Sequence, residues 1–464
     1  MSLVYPLAAG LAAALLAGSA APAATALERL EALEQEMAVL KRKLEVQQEE
    51  TAAKASTTPI VGAGSDGFFL RSPDSKFQFK LRGYLQADSR WLTDSEQVGD
   101  DTFLLRRVRP IFEGTLFNWM DFRIMPDFAN STLVLFDAYA NFRYFPKAQL
   151  EAGKFKPPVG LERLQSATAT MFIERAFPTL LVPTRDIGAM LWSDQIGEGA
   201  FTYQFGYFNG VRDSGNNQTG DVDTDDGKDF AARLFVHPFR FFVQNEWLDG
   251  LGIGVSGTWG EIDEQAPASF RTTAAATNFF AYRGASATFN AVAGDGDRYR
   301  WSPQAYWYAG PVGFMAEWVS SEQDMRRTPI PSVGGDSSRE RLRNDAWQVA
   351  LSYVLTGENA SYKGVIPSSP FAFGEGGPGA WEIAARYNEI DFDDDAFDGG
   401  AASFSDPAVS ASEAQGWTVG LNWYLNRWVR VMVNFDRTTF EGGGGVGDDR
   451  PSEETILTRI QFSY

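Results

Sequence analysis

The sequence predicts an all-β protein, a closed antiparallel β-barrel of sixteen strands that crosses a membrane. From Phe68 onward, apolar and polar residues alternate with the two-residue period of β-strands. The faces opposite the apolar residues carry too many charges for a packed core. The connections between successive strands are mostly short and long in turn, as in up-and-down barrels of the bacterial outer membrane.

The composition suits many short strands and narrows the possible chemistry. The 464 residues include 45 glycines and 36 phenylalanines, as expected of aromatic strands joined by glycine-rich loops. Cysteine is absent and His237 is the one histidine, which excludes disulfides, thiol nucleophiles and Cys/His zinc sites. There is also no G-x-S-x-G motif. We therefore expect no enzyme, no cofactor, no metal and no nucleic-acid partner.

Residues 1-26, MSLVYPLAAGLAAALLAGSAAPAATA, are predicted to be a secretory signal peptide. They carry no charge, have a short apolar centre and end in small residues with A-x-A spacing. After them, no stretch approaches the roughly 18 apolar residues of a transmembrane helix. Export without cysteine suits a bacterial envelope protein, and a membrane barrel predicts the outer membrane of a Gram-negative cell.

Residues 27-56 are predicted to form an α-helical coiled coil in the periplasm. An apolar seam recurs at alternating spacings of three and four, with charged residues between its members, over about three heptads. The seam residues are Leu30, Leu33, Met37, Leu40 and Leu44. A lone helix this short is marginal in water, so we expect it to associate. Docking of an ordinary amphipathic helix on the protein's own body is the alternative. Residues 57-67 are a predicted linker, and 68-464 the transmembrane β-barrel porin domain.

Each predicted barrel strand has one apolar face. In FQFKLRGYLQADSRW, Phe77, Phe79 and Leu81 alternate with polar residues. The sixteen predicted ranges are 77-92, 103-117, 119-128, 133-145, 148-156, 186-194, 199-208, 228-238, 250-261, 298-309, 311-320, 343-356, 378-391, 415-426, 427-440 and 453-464. The last range ends in TILTRIQFSY and is predicted to close the barrel. Lipid would cover the apolar faces, and a barrel of this size has room for an aqueous channel.

Seven segments of the barrel domain are recognisable together. They are FQFKLRGYLQAD, FLLRRVRPIFEG, FDAYANFRY, LEAGKFKPPVGLE, VLTGE, GAWEIAARYNEID and GLNWYLNRWVRVMVNF. In order and spacing they resemble the phosphate-selective porin O and P family, over about residues 68 to 464. The resemblance implies a sixteen-stranded trimeric porin, with residues 157-185 folded into the lumen as a constriction. Some members of the family carry an N-terminal coiled coil, as predicted here.

Basic residues are the candidates for an anion path, because the planar fork of arginine gives an oxyanion paired hydrogen bonds. The resemblance implies that Arg106 and Arg107 form the central anion site. Arg107 and Arg109 share a face, whereas Arg106 points outward unless a bulge or the strand's end turns it in. The other pore-lining candidates are Lys80, Arg82, Arg123, Arg143, Lys154 and Arg233. The alternative is that these are ordinary lumen charges, paired across strands.

Residues 157-185 contain three further arginines, Arg163, Arg175 and Arg185, that would extend the basic path. Lys156 stands directly before them. Glu162 and Glu174 are equally close in sequence, so the net effect of this segment is open. Loop residues held by a rigid scaffold often carry function.

Three positions depart from the family's pattern. Tyr84 stands where the family has an arginine on the first strand, although Arg82 lies two residues away on the same face. Glu151 replaces a lysine, and Asp229 stands where a base is expected before Arg233. These departures widen the prediction from strict phosphate selectivity to a broader anion preference or a general pore.

The predicted function is passive diffusion of small solutes through an outer-membrane porin, with preference for phosphate, polyphosphate or other anions. The expected partners are two further copies of the chain, membrane lipid, lipopolysaccharide and small anions. A general or other-nutrient porin is one alternative. A structural tether, in which 27-56 binds peptidoglycan or a periplasmic partner, is the other.

Much of the negative charge that gives the chain its net charge of -19 lies in predicted loops, as at 220-229 and 391-400. A screening length of about 8 Å weakens its effect deeper in the pore.

Overall fold

A computed structural model describes residues 26–64, 67–93, 99–216, 226–241, 246–374, 376–445 and 447–464. Residues 1–25 of the predicted signal peptide lie outside the described residues, as do residues 220–225 of the first acidic run.

Residues Ala26–Thr57 form one continuous α-helix, α1, over the segment predicted to be helical. The five apolar residues of its predicted seam are each more than half exposed in the single chain. Their pairing in a coiled coil therefore stays a prediction. No helix within the described ranges is both long and apolar enough to span a membrane.

The remaining described residues form twenty β-strands and a few short helices. The strands are β1 Ile60–Gly64, β2 Gly67–Arg71, β3 Gln78–Leu92, β4 Thr102–Leu116, β5 Met120–Asp127, β6 Val134–Phe142, β7 Gln149–Phe155, β8 Asp186–Ile196, β9 Phe201–Phe208, β10 Asp229–Val236, β11 Leu251–Gln265, β12 Ser269–Arg271, β13 Asn278–Ala281, β14 Ala293–Ala309, β15 Val312–Arg327, β16 Ser338–Val354, β17 Ala380–Asp391, β18 Ala411–Tyr424, β19 Val429–Gly442 and β20 Glu453–Ser463. The short helices are α2 Leu161–Leu164, α3 Glu246–Asp249 and the 3-10 turns Ala129–Ser131, Phe177–Leu181, Pro238–Phe241, Asp394–Ala396 and Gly400–Ala402.

Sixteen of these strands, β3 to β11 and β14 to β20, form the barrel. Each pairs antiparallel with the next, and β20 pairs with β3 from Thr455↔Leu92 to Ser463↔Tyr84. The backbone N–H of Tyr464 donates to the carbonyl of the residue before Tyr84 at 2.8 Å, which seals the closure. The predicted sixteen-stranded closed barrel, with its C-terminal closing strand, is confirmed.

The strands differ from their predicted ranges mainly at the end with long loops. Strand β14 begins at 293, not 298, and β15 ends at 327, not 320. Glycine, aspartate and serine are frequent in these stretches, and residues of these types predict a loop. Pairing with long neighbours continues the hydrogen-bond ladder through them, so tertiary context overrides local propensity.

The side chains alternate between an apolar exterior and a polar interior. On β19, Val433 and Phe435 are exposed, whereas Met432 and Asn434 are buried in the interior. This is the reverse of a water-soluble protein and suits a barrel whose outer surface faces lipid. Exposed aromatic residues lie at the strand ends, as in the girdles of membrane barrels, and include Phe77, Phe117, Trp119, Tyr144 and Phe145.

Several connections fold into the barrel. Residues 156–185 enter from the end with long loops. Residues 266–292 follow, and their Phe279 lies in an aromatic cluster with Phe177, with ring centres 5.9 Å apart. From the opposite end, the connection that begins at residue 355 enters, and the Tyr362 hydroxyl donates to the Leu161 carbonyl at 2.6 Å. The interior is therefore partly filled, and the remaining open space is confined.

Candidate functional site

Residues 156–185, here called the constriction segment, leave the wall after β7 and cross the lumen. Pro157 and Pro158 end the strand because proline donates no hydrogen bond to a ladder. Gly160 has a φ of 78°, a left-handed conformation that glycine adopts without strain. The chain then makes the single turn of α2 and a 3-10 turn at Phe177–Leu181 before it joins β8.

Polar side chains of the wall fix the backbone of this segment. Glu317 accepts from the N–H groups of Leu161 and Glu162 at 2.5 and 3.1 Å. Further wall contacts reach the carbonyls or N–H groups of residues 167 to 177 at 2.7 to 3.1 Å and come from Gln86, Gln461, Arg430, Asn422, Asn434, Arg386 and Asn388. Buried backbone groups need such partners, so the segment is held in one conformation.

A cavity of about 800 Å³ lies beside the constriction segment and reaches the turns at the short-turn end of the barrel. Among the described residues, twelve basic and two acidic side chains line it. The basic residues are Arg82, Arg106, Arg107, Arg109, Arg123, Lys156, Arg163, Arg175, Arg185, Lys363, Arg427 and Arg430; the acidic residues are Asp137 and Glu151. A chain of net charge -19 thus concentrates positive charge at this cavity.

A β-bulge turns Arg106 toward the cavity. In the pairing of β3 with β4, Gln86 lies opposite Arg107 and Ala87 opposite Leu105, which leaves Arg106 as the extra residue. Leu105 stays on the outer face, half exposed, while Arg107 is buried on the inner face. From the sequence, Arg106 was expected to point outward unless a bulge or the end of the strand turned it inward, and the structure shows the bulge.

Two of the three neighbouring arginines on β4 are neutralised by carboxylates. Arg106 donates to both oxygens of Glu174, at 2.6 and 3.0 Å. Arg109 pairs with Asp127 at 2.7 Å and donates to the Tyr84 hydroxyl at 2.8 Å. Burial acts to raise the pKa of the Glu174 carboxyl, but the charge and hydrogen bonds of Arg106 outweigh it, so this pKa lies below its ordinary value.

Arg107 differs from these two arginines in its partner. Its Nη1 donates to the amide oxygen of Gln86 at 2.7 Å, and it forms no ion pair with any residue that the structure describes. Gln86 also donates to the Ala167 carbonyl of the constriction segment at 2.9 Å. The wall thus presents Arg107 beside the constriction as a guanidinium that no carboxylate neutralises.

The constriction segment contributes three more cations of this kind. Lys156 Nζ and Arg175 Nη2 both donate to the carbonyl oxygen of Gln165, each at 2.9 Å, and Arg163 donates to the Thr179 carbonyl. None of the three cations has a carboxylate partner in the part of the chain that the structure describes. Burial, and then the charges of Arg185 and Arg175, lower the pKa of Lys156 well below its ordinary value.

The sequence-predicted site residues divide into two groups. Those that line the cavity are Arg82, Arg106, Arg107, Arg109 and Arg123. Arg82 and Arg123 are both paired with Glu113, at 3.0 and 3.6 Å, and Arg123 also with Asp137 at 3.2 Å. The alternation of inward and outward residues identified Arg82 and Arg123 but not their carboxylate partners, which lie on neighbouring strands.

The other four predicted residues do not line the cavity. Lys80 lies near the start of β3, and Arg143 lies just after β6, paired with Asp121 at 2.7 Å. Arg233 lies on β10 and donates to Gln204 and Gln304, both at 3.2 Å. Lys154 lies on β7 in register with Ile187, and its side chain is buried but is not among those that line the cavity.

The three positions that depart from the family's pattern have separate surroundings. The Tyr84 hydroxyl accepts from Arg109, as described above. Asp229 binds Arg298 and Arg300 at 3.1 and 2.9 Å in a buried network away from the cavity. Glu151 lines the cavity, and within the described ranges it makes no hydrogen bond or ion pair.

Comparisons with known proteins agree with this architecture. The family model "Phosphate-selective porin O and P" matches residues 79–464. Porin O of Pseudomonas aeruginosa is 25% identical over 443 residues, covering 87% of this chain and 92% of that protein. A protein of Caulobacter vibrioides is 22% identical over 412 residues, covering 84% of this chain and 76% of that protein. The outer membrane channel DcaP of Acinetobacter baumannii has a TM-score of 0.52 at 12% identity, covering 86% of this chain and 99% of that one, which is a likeness of fold alone.

Proposed function

This chain belongs to the phosphate-selective porin O and P family, and on that premise we propose that it forms an anion-preferring channel in the outer membrane of a Gram-negative bacterium. The observation that carries the proposal is the cavity's charge, with twelve basic side chains against two acidic ones in an acidic chain. Channels select by fixed charges at the narrow point and by binding that is weak enough to release the ion.

Arg107 on the wall and Lys156, Arg163 and Arg175 on the constriction segment bear much of this selectivity because carboxylates do not cancel them. The other cavity cations without a carboxylate partner among the described residues are Lys363, Arg427 and Arg430. A unit charge about 5 Å from one such cation gains about 3 kcal/mol at an effective dielectric constant of 20, and less where water is abundant. This attraction offsets part of the cost of removing water from the anion.

The paired arginines beside them serve the geometry of the site. Arg106 ties the constriction segment to the wall through Glu174, and Arg109 ties β4 to β5 through Asp127. Their charges attract an approaching anion less because each sits against a carboxylate. We therefore assign the direct contact with the anion to Arg107 and assign Arg106 and Arg109 to holding the site in shape.

Phosphate is one anion that fits this proposal. Guanidinium groups bind phosphate oxygens in pairs and stay protonated at all physiological pH values. The description of the family and the name of the Pseudomonas relative support phosphate as a candidate.

The assembly is also part of the proposal. Membership of the porin family supports a homotrimer whose outer surface contacts membrane lipid and lipopolysaccharide, with α1 in the periplasm. Chemical cross-linking of the purified protein in detergent tests the trimer: bands at one, two and three chain masses support it, and a single band at one chain mass contradicts it.

Reversal potentials in planar bilayers test the anion preference. Under a potassium chloride gradient, the wild-type reversal potential should take the sign of the chloride equilibrium potential. Replacing Arg107 and Arg175 together by glutamine should move it toward zero. Arg143→Gln, which removes one positive charge outside the cavity, should leave it unchanged. A cation-preferring wild-type channel would overturn the proposal.

A further inference from the structure

The cavity has an aromatic lining as well as a basic one. Phe136, Tyr139, Phe155 and Trp192 all face it, from three successive strands, β6 to β8. A second β-bulge contributes the first of these: Met125 lies opposite Asp137 and Pro126 opposite the residue at 135, so Phe136 is the extra residue. The sequence predicted a charged inner face here, and an aromatic surface on that face needs its own explanation.

These rings lie directly beside the cations. The Arg109 guanidinium is 3.7 Å from the centre of the Phe136 ring, and that of Arg185 is 5.4 Å from it. Phe155 immediately precedes Lys156 in the chain and packs edge-on against Tyr139 at 5.9 Å. Arg109 and Arg185 are themselves paired with Asp127 and Asp137, at 2.7 and 2.5 Å. An ion that enters this cavity therefore meets an aromatic surface among basic side chains.

A hydrated inorganic anion gains nothing from such a surface and loses water contacts against it. An anion with an apolar body gains from both parts, because its charge meets a guanidinium while its body leaves water against the rings. Ligand sites commonly combine apolar walls, which contact the body of the ligand, with a few fixed polar groups, which bind its charged or polar end.

The inner face of β7 adds to this wall. Glu151 and Phe155 both lie on that face, and both line the cavity.

We infer that the preferred permeants are organic anions, carboxylates that carry an aromatic or other apolar body, with the carboxylate at the basic side chains of the cavity and the body against Tyr139 and Trp192. This inference rests on the proposed anion-preferring channel and names its substrate class. Each ligand is transported unchanged, and no bond is made or broken.

Competition in planar bilayers, with the full chain, tests the inference. Benzoate, acetate and inorganic phosphate are titrated separately against the chloride current. In the wild-type channel, benzoate should reduce the current at a concentration on the order of tenfold lower than acetate, and lower than phosphate, because it alone brings a ring to the apolar wall. Equal half-inhibition by benzoate and acetate in an anion-preferring channel would overturn the inference and leave the proposed function standing.

Two variants assign the effect to the rings. Trp192→Ser and, separately, Tyr139→Ser should raise the half-inhibiting concentration of benzoate severalfold without changing that of acetate. Trp301→Ser, which alters a tryptophan exposed on the outer face, is the matched control and should change neither. If benzoate inhibits both inner-face variants as strongly as the wild type, the assignment to this wall is wrong. A cation-preferring reversal potential would instead overturn the proposed function itself.

Discussion

Arg106 on the barrel wall binds both carboxylate oxygens of Glu174 on the constriction segment, through Nε at 2.6 Å and Nη2 at 3.0 Å. The pair does two things: it holds the segment against β4, and it cancels one of the two charges that the bulge brings to the cavity. Arg107, the next residue, has only the Gln86 amide as a charged or polar partner at 2.7 Å among the described residues. Two adjacent arginines of identical chemistry therefore have different roles.

Arg107→Gln is expected to weaken the anion preference strongly, whereas the double variant Arg106→Gln/Glu174→Gln is expected to keep it. The single change removes an unneutralised charge, worth about 1 kcal/mol or more to an anion at about 4 Å, which is at least about fivefold in anion affinity. The double change removes a charge pair and leaves the net charge of the site as it was. The measurement is the chloride-to-potassium permeability ratio of each variant. Equal losses of preference in the two variants would contradict the different roles of Arg106 and Arg107.

The fold could be predicted almost completely from the sequence because a barrel wall is a local pattern. In each strand, apolar residues at every second position indicate the outer face, as at Val433 and Phe435 on β19. Bulges break this rule, and nothing in the residue types at Arg106 or Phe136 marks them. Whether such a residue faces in or out is decided by the pairing of the neighbouring strand.

The site was predictable in part. Parity identified Arg107 and Arg109 as inward-facing, and the resemblance added Arg106. The alternation of inward and outward residues does not give the height of a residue along the barrel axis. Lys80 and Arg233 were therefore also predicted to line the pore, although they do not line the cavity. The pairing of each cation with a carboxylate depends on neighbouring strands and on the path of the constriction segment, which a single sequence does not reveal.

Glu151→Gln is expected to increase the anion preference at alkaline pH, where the carboxyl of Glu151 is ionised. The carboxylate lines the cavity without an ion-pair partner in the described ranges, so its removal takes away repulsion and breaks no contact. The increase should be greatest for divalent anions such as sulfate, since repulsion scales with charge. Permeability ratios for sulfate and chloride measure it. Asp121→Asn, which removes a carboxylate outside the cavity, is the control, and an equal response of both variants would show that bulk charge alone is responsible.

The anion preference is expected to fall as pH rises, beginning below the ordinary lysine range near pH 10.4. Burial lowers the pKa of Lys156 and so do Arg185, Arg175 and Arg163, while Asp137 acts to raise it. The protonated form attracts the anion, so the preference is present below this lowered pKa and is lost as pH rises through it. A bound anion favours the protonated form, so high anion concentration should move the fall to higher pH.

Reversal potentials between pH 6 and pH 10, at two salt concentrations, measure this dependence. Lys156→Arg should flatten the curve because arginine keeps its proton throughout this range. If the Lys156→Arg channel keeps the wild-type pH dependence, another group is responsible and the assignment to Lys156 is wrong.

Asn434→Leu is expected to loosen the constriction without unfolding the barrel. The Asn434 side-chain oxygen accepts from the Ile173 N–H at 2.7 Å, and leucine of similar size would leave that buried N–H without a partner, at a cost of about 1 to 3 kcal/mol. The substitution does not alter the backbone hydrogen bonds between the strands around Asn434. The heat-modifiable mobility of the folded barrel on gels should therefore not change. Single-channel recordings should instead show larger current fluctuations, as the segment samples more than one position.

Asn344→Leu is the matched control, since Asn344 is a buried wall asparagine that donates to Tyr282 and not to the constriction segment. Quiet recordings from Asn434→Leu, or equal noise from Asn344→Leu, would show that the wall contact with Ile173 does not hold the constriction in place.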